Sequence, residues 1–424
     1  MLEIEEKSND SEKKDNILGN KFFGKYKCLK KLGEGSFGSI YKAEYNGNYF
    51  ALKFESIEKG QNLLENEAII MEYLKGPNIP YIKLYGSTSE YNILVMQLLG
   101  KSLENIFEEK KIFSLKTVCM IGYQFVTVLE YIHNKHILHR DIKPDNFVMG
   151  LNKLSQYVYL LDFGLAKKYR SSRTLKQIPL VNRKKLTGTA RYASINALRG
   201  YEHSRRDDLE AAGYVLIYFI KGRLPWQGIQ VKTKEERYKK ILKKKIEISP
   251  EELCENLPQE FEKYIDYTRN LEYLEEPDYA KLKELFNSIL KKDHAKFDYI
   301  YDWTTAEEKL MRRAITPKSE LESNQNKKTT FASFKHFGDS REENNDKSFH
   351  FTLENNISKK NIDSKFNNSK MENKKEENDI KKYSRNKIIE DDEEPIFLSK
   401  KNNHIDTISN DEEVVCCTSG CNIF

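Results

Sequence analysis

The chain has 424 residues, 32% of them charged and 12% aromatic, and a formal net charge of +6. Such a length holds one domain of about 280 residues with a long flank to spare, enough to bury a substantial interior. The apolar run 211–220 is ten residues, too short to cross about 30 Å of hydrocarbon, which excludes a membrane-spanning reading of it.

In chain order, residues 26–32 and 40–45 are strand-like and enclose Gly33-Glu34-Gly35-Ser36-Phe37-Gly38. Small-residue loops also serve as plain hairpin turns, but strands on both sides predict a β-hairpin rather than a strand-to-helix turn. The glycines Gly33, Gly35 and Gly38 let backbone approach a phosphate closely, and Ile40 follows as the aliphatic position of the pattern. Fifteen residues past Gly38, a short apolar strand with Ala51 ends on Lys53. A buried ammonium needs partners. Residues 62–74 read as the next helix, with Leu64, Ile69, Ile70, Met71 and Leu74 as its apolar stripe. Glu67 is the expected ion-pair partner of Lys53, and Glu65 the alternative.

Residues 139–147 read HRDIKPDNF, a run that resembles a protein-kinase catalytic loop. Phosphoryl transfer requires that an attacking hydroxyl be aimed and phosphate charge be neutralised. Asp141 can accept or align the hydroxyl proton, Lys143 can lean on the γ-phosphate, and Asn146 can give Mg²⁺ a neutral oxygen. The apolar strand 157–161 then delivers Asp162-Phe163-Gly164. Asp162 suits a Mg²⁺ ion bridging the phosphates of ATP. Each motif alone is weak, but the ordered set is specific.

From about residue 26 to 303 the chain resembles casein kinase 1. The resemblance rests on LLGKSLE at 98–104, HRDIKPDNF, DFGLAKKY at 162–169, LTGTARYASIN at 186–196, SRRDDLE at 204–210 and LPWQG at 224–228. Ser194-Ile195-Asn196 stands where most kinases have Ala-Pro-Glu. The resemblance implies an α+β, bilobal fold, with a mainly β N-lobe carrying one key helix (26–99) and a mainly α C-lobe (100–312). It implies Ser/Thr protein phosphorylation with ATP and Mg²⁺ in a monomer that is active without activation-loop phosphorylation. Met96 would sit behind the adenine, the backbone of Gln97 and Leu99 would bond the base, and Ile40 and Ala51 would line the nucleotide. Asp208, at the start of an almost wholly apolar helix, would tie down the catalytic loop from below. The stretches 235–245, 259–269 and 279–290 read as surface helices whose many charges are solvated faces.

The resemblance also implies substrates whose target hydroxyl lies downstream of acidic or phosphorylated residues. Arg191, Arg237 and the Gly228 backbone match the anion-site positions, Arg237 standing where the family more often has lysine. Arginine suits phosphate by its planar fork; the alternative for Arg191 is a brace for the activation segment. Residues 26–317 carry the positive excess and both flanks are slightly acidic. Acidic protein partners account for that excess without nucleic acid, of which no module interrupts the pattern. The competing functions are a catalytically weak pseudokinase scaffold and a kinase acting on a non-protein hydroxyl. The first is opposed by the presence of Lys53, Asp141, Asn146 and Asp162.

Residues 1–25 read as a flexible extension without a secretory leader. From 313 to 424 the chain reads as a disordered tail rich in Asn, Lys, Ser, Glu and Asp. It closes on Cys416-Cys417-Thr418-Ser419-Gly420-Cys421-Asn422-Ile423-Phe424. Cys421 is four residues from the end, the spacing for prenylation, and Cys416 and Cys417 are placed for acylation as a second anchor. Asp411-Glu412-Glu413 just upstream opposes an anionic leaflet, and Asn422 is not aliphatic. The expectation is a cytoplasmic protein tethered by its lipids to the cytosolic face of a membrane, the plasma membrane first. Cys28, Cys119 and Cys254 are widely spaced and predict neither a metal knuckle nor a disulfide.

Overall fold

The computed structural model describes residues 17–35, 38–60, 63–182 and 184–315. The expectations for the tail and for Cys416, Cys417 and Cys421 lie outside the described residues, as do Ser36 and Phe37 of the glycine turn.

The N-terminal lobe is a six-stranded antiparallel sheet in the order β1-β2-β3-β4-β6-β5. Its strands are β1 (Lys21–Phe22), β2 (Tyr26–Gly35), β3 (Gly38–Tyr45), β4 (Asn48–Ser56), β5 (Ile82–Ser87) and β6 (Tyr91–Gln97). Helix α1 (Leu63–Leu74) enters between β4 and β5.

Strand β4 shows how the two-residue period builds this lobe. Phe50, Leu52 and Phe54 face an aromatic cluster, where Phe54 meets Phe22 at 4.8 Å, Tyr41 at 5.4 Å and Tyr91 at 5.7 Å between ring centroids. Ala51 joins the other core, with Leu94, Met96 and the apolar face of α1. The alternation puts Lys53 and Glu55 on that same α1 side, in the interior. Burial on both faces explains why the strand is almost continuously apolar.

The C-terminal lobe contains α2 (Leu103–Lys110), α3 (Leu115–Asn134), α4 (Ile195–Leu198), α5 (Arg205–Lys221), α6 (Lys234–Glu247), α7 (Pro250–Leu253), α8 (Gln259–Asn270), α9 (Tyr279–Lys292) and α10 (Ala306–Ile315). Two small antiparallel pairs lie among them: β7 (Ile137–Leu138) with β10 (Lys167–Lys168), and β8 (Phe147–Met149) with β9 (Val158–Leu160). Every residue of α5 from Arg205 to Phe219 is buried; the apolar run after Glu210 requires this, while the charged residues at its start are buried on specific partners, as Asp208 is on the His139 and Arg140 N–H groups. At the start of α5, Asp207 Oδ2 accepts the Ser204 N–H at 2.7 Å while the Asp207 N–H donates to Ser204 O at 3.1 Å, and Gly222 ends the helix in the left-handed conformation.

Helices α3 and α9 approach closely because Gly122 has no side chain. A Cβ there would sit 2.7 Å from the Phe286 ring. The three expected surface helices form as α6, α8 and α9. Their charges are not all solvated: Lys245 of α6 is fully buried and Glu260 of α8 is 5% exposed. Among the described residues no helix is long and apolar enough to cross a membrane.

Candidate active site

The β8–β9 hairpin makes two sequence-distant groups neighbours. Phe147 pairs with Leu160, and the Leu161 N–H donates to Asn146 O at 2.8 Å. Asn146 therefore leads into the hairpin where Asp162 leaves it. Asp162 itself is in the left-handed region, with φ 65°, a conformation uncommon for a residue with a side chain. Its carboxylate meets the Lys53 ammonium at 3.0 Å, and Glu67 meets the same nitrogen at 2.6 Å. Glu65, the alternative partner, is exposed.

Burial alone would lower the Lys53 pKa, but Glu67 and Asp162 more than reverse that and hold it above its ordinary value. Burial likewise opposes ionisation of Asp162, and Lys53 prevails, leaving its pKa below the usual aspartate value. The result is an ammonium and a carboxylate both charged at neutral pH inside a cleft.

The glycine turn hangs over this group by register. Gly33 pairs with Ile40, Gly35 with Gly38, and Ile40 with Lys53. Gly38 has φ 137°, and a Cβ there would lie 1.8 Å from Phe54 O, so only glycine fits. At the back of the cleft Ala51 pairs with Met96, both buried. The Gln97 N–H is bound to Tyr81 O at 3.0 Å. Leu99 is half-buried beside it.

On the C-lobe side, Asp141 is held at both carboxylate oxygens. Lys143 Nζ lies 2.9 Å from Oδ2, and the Thr189 hydroxyl donates to Oδ1 at 2.8 Å. Asn146 donates its amide to Asp141 O at 2.8 Å, which orients its own Oδ1 as an acceptor. Asp162 and Asn146 are thus two oxygen donors, one charged and one neutral. That set fits Mg²⁺, which takes its remaining ligands from water and substrate phosphates.

Asp208 fixes the loop from below. Its Oδ2 accepts His139 N–H at 2.8 Å and its Oδ1 accepts Arg140 N–H at 2.9 Å. Arg140 has φ 69°, so these bonds hold a strained turn. His133 Nε2 lies 3.0 Å from the same carboxylate, and its Nδ1 lies 2.8 Å from the Tyr279 hydroxyl.

The anion-site residues are placed separately. Arg191 is exposed on the activation segment, Arg237 is exposed on α6, and Gly228 is exposed with φ 75°. Among the described residues no hydrogen bond or ion pair joins them.

Sequence reading passed over several residues. Glu55 accepts Leu63 N–H at 2.9 Å and Leu64 N–H at 3.3 Å, and so caps α1. Its position two residues past Lys53 was the available signal. Thr189 lies in the quoted 186–196 run without an assigned role. Glu202 pairs with Lys167 at 3.1 Å and Lys184 at 3.7 Å, a contact across the activation segment that local patterning does not reveal.

A sheet lobe over a helical lobe, with a glycine turn, a lysine–carboxylate pair and a braced aspartate facing one cleft, defines a phosphotransferase fold. The family model for the protein kinase domain matches residues 26–296, and the chain belongs to the protein kinase family. It is a kinase whose domain implies ATP as phosphoryl donor and protein as acceptor.

Proposed function

We propose that the protein is a serine/threonine kinase of the casein kinase 1 type, using MgATP and preferring acidic or phospho-primed sites. The observation that carries this reading is the convergence of Lys53, Glu67 and Asp162 opposite Asp141 and Lys143. In this arrangement Lys53 holds the α- and β-phosphates and Glu67 holds Lys53. Asp141 receives or aligns the hydroxyl proton. Lys143, whose pKa is raised by Asp141 against the effect of burial, remains cationic beside the transferred phosphoryl group. Mg²⁺, held by Asp162 and Asn146, would neutralise phosphate charge. Positioning and charge stabilisation are what this reaction demands.

The casein kinase 1 motifs quoted above support the Ser/Thr and acidic-site preference, as does the exposure of Arg191 and Arg237. Incubation of wild type and Asp141→Asn with radiolabelled ATP and casein tests the activity, and phosphoamino-acid analysis tests the acceptor. Label on tyrosine, or none from folded wild type, would overturn the reading.

The terminal cysteines support attachment by Cys421 prenylation and Cys416/Cys417 acylation to the cytosolic face of the plasma membrane. Cys421→Ser should move the protein from the membrane to the supernatant fraction, and an unchanged distribution removes the prenyl anchor.

A further inference from the structure

Lys245 is a basic side chain that the reaction scheme leaves unused. It is wholly buried although it belongs to the basic helix α6, and among the described residues no carboxylate hydrogen-bonds it. Its Nζ instead donates to Ala193 O and, at 3.5 Å, to Ala190 O. It also lies 4.3 Å from the Tyr214 ring centroid and 4.7 Å from that of Trp226. Trp226 Nε1 in turn donates to Arg191 O at 2.7 Å. The carbonyls of Ala190, Arg191 and Ala193 are therefore all tied from beneath, by one lysine nitrogen and one indole that touch each other.

Burial pushes the Lys245 pKa well below its ordinary value, with Glu210 opposing the shift, and the two carbonyls accept from Nζ whether it is an ammonium or an amine. What this fixes is the backbone under Arg191, whose side chain stays exposed. The flanking anchors are different: Thr189 is held by Asp141, and Ser194 by Asp207. The Lys245–Trp226 pair thus acts on the stretch between them.

We propose that Lys245, together with Trp226, is a positioning residue that aims Arg191 and thereby sets the preference for phosphorylated flanks in the substrate. The inference rests on the anion-site reading of Arg191. A guanidinium on a pinned backbone loses less freedom when it engages a phosphate, so the preference depends on the pin. Thr189 and Ser194 keep their own anchors, so transfer to an unprimed peptide is spared.

The test measures kcat/KM of the full chain on a phospho-primed peptide and on its unprimed counterpart, for wild type, Arg191→Ala, Lys245→Met and Trp226→Phe. Lys245→Met should lower the primed-to-unprimed ratio about tenfold, the scale of two lost hydrogen bonds. Trp226→Phe keeps a ring beneath the Lys245 nitrogen and should lower the ratio about threefold, the scale of one neutral bond. A merely structural role would lower both peptides equally and leave the ratio at the wild-type value, and that result overturns the proposal. If Lys245→Met fails to fold, Trp226→Phe decides alone. A preference lost in Arg191→Ala but kept in both other variants sinks the positioning role only. A wild type without the preference, or one that keeps it in Arg191→Ala, sinks the anion-site reading and the positioning role with it.

Discussion

Lys53 Nζ lies 2.6 Å from Glu67 Oε2, and this contact joins the middle of β4 to the middle of α1. Both groups are buried; Glu67 helps hold the Lys53 pKa above its ordinary value, whereas at Glu67 burial outweighs Lys53 and raises the carboxyl pKa. Asp162 adds a second carboxylate from the opposite lobe at 3.0 Å. The trio is therefore a mechanical link between lobes as well as a phosphate site.

Lys53→Met should lower kcat/KM at least about 100-fold, the scale of losing one preorganised charge donor in a cleft. It also leaves Glu67 buried without its cation, which costs about 3 kcal/mol or more in stability. Steady-state kinetics and urea unfolding of the same preparation measure both. Wild-type turnover in the variant would end the phosphate role.

Asp141→Asn removes the proton acceptor but keeps an oxygen for Thr189. Turnover should fall about 10²–10⁴-fold, as for loss of a general base. The KM for ATP should stay close to wild type, because Asp141 faces the acceptor hydroxyl. A raised KM with preserved kcat would assign Asp141 to nucleotide binding instead.

The divide between what could and could not be read in sequence follows contact distance. Lys53, Asp141, Asn146 and Asp162 sit in short motifs whose spacing carries their chemistry, β4 announces itself as a short apolar run, and α1 does so by its 3.6-residue period. Lys245 is different. Within the α6 sequence it resembles Lys243 and Lys244, both exposed, and only carbonyls more than fifty residues away make it an interior group. His133 was equally silent, since its partners Asp208 and Tyr279 are 75 and 146 residues distant. Glu55 falls between these cases: the strand period places it beside Lys53, while the helix N-terminus that it caps comes from tertiary packing.

Glu55→Ala should loosen α1. The carboxylate accepts Leu63 and Leu64 N–H and also Asn92 Nδ2 at 3.3 Å, so its removal strands three donors in or near the core. The expected cost is about 2 kcal/mol, from the lost cap and the unpaired donors. Because α1 carries Glu67, the KM for ATP should rise as well. Glu55→Gln keeps one acceptor oxygen and should fall between. An unchanged KM in Glu55→Ala would separate the cap from the placement of Glu67.

Acid should destabilise the fold in two stages. Burial lowers the pKa of His133, and it also lowers those of His136 and His203. A histidine whose folded pKa lies below its unfolded value binds more protons unfolded than folded between the two. Stability therefore rises with pH across that interval and is complete above about 6.5. Asp208, Glu202 and Asp162 have pKa values below the usual carboxylate range. Burial opposes each of these shifts, and it is overcome by the His133 hydrogen bond at Asp208, by Lys167 at Glu202 and by Lys53 at Asp162. Their contribution is present above the unfolded pKa, about 4, and is lost as pH falls through the folded values. Tm should thus decline from pH 7 to pH 5 and again below pH 4. In His133→Asn the first decline should be shallower, since one of its three histidines is gone. Thermal melts across this range check both limbs, and a Tm flat from pH 7 to 5 would mean that these histidines are charged in the folded protein.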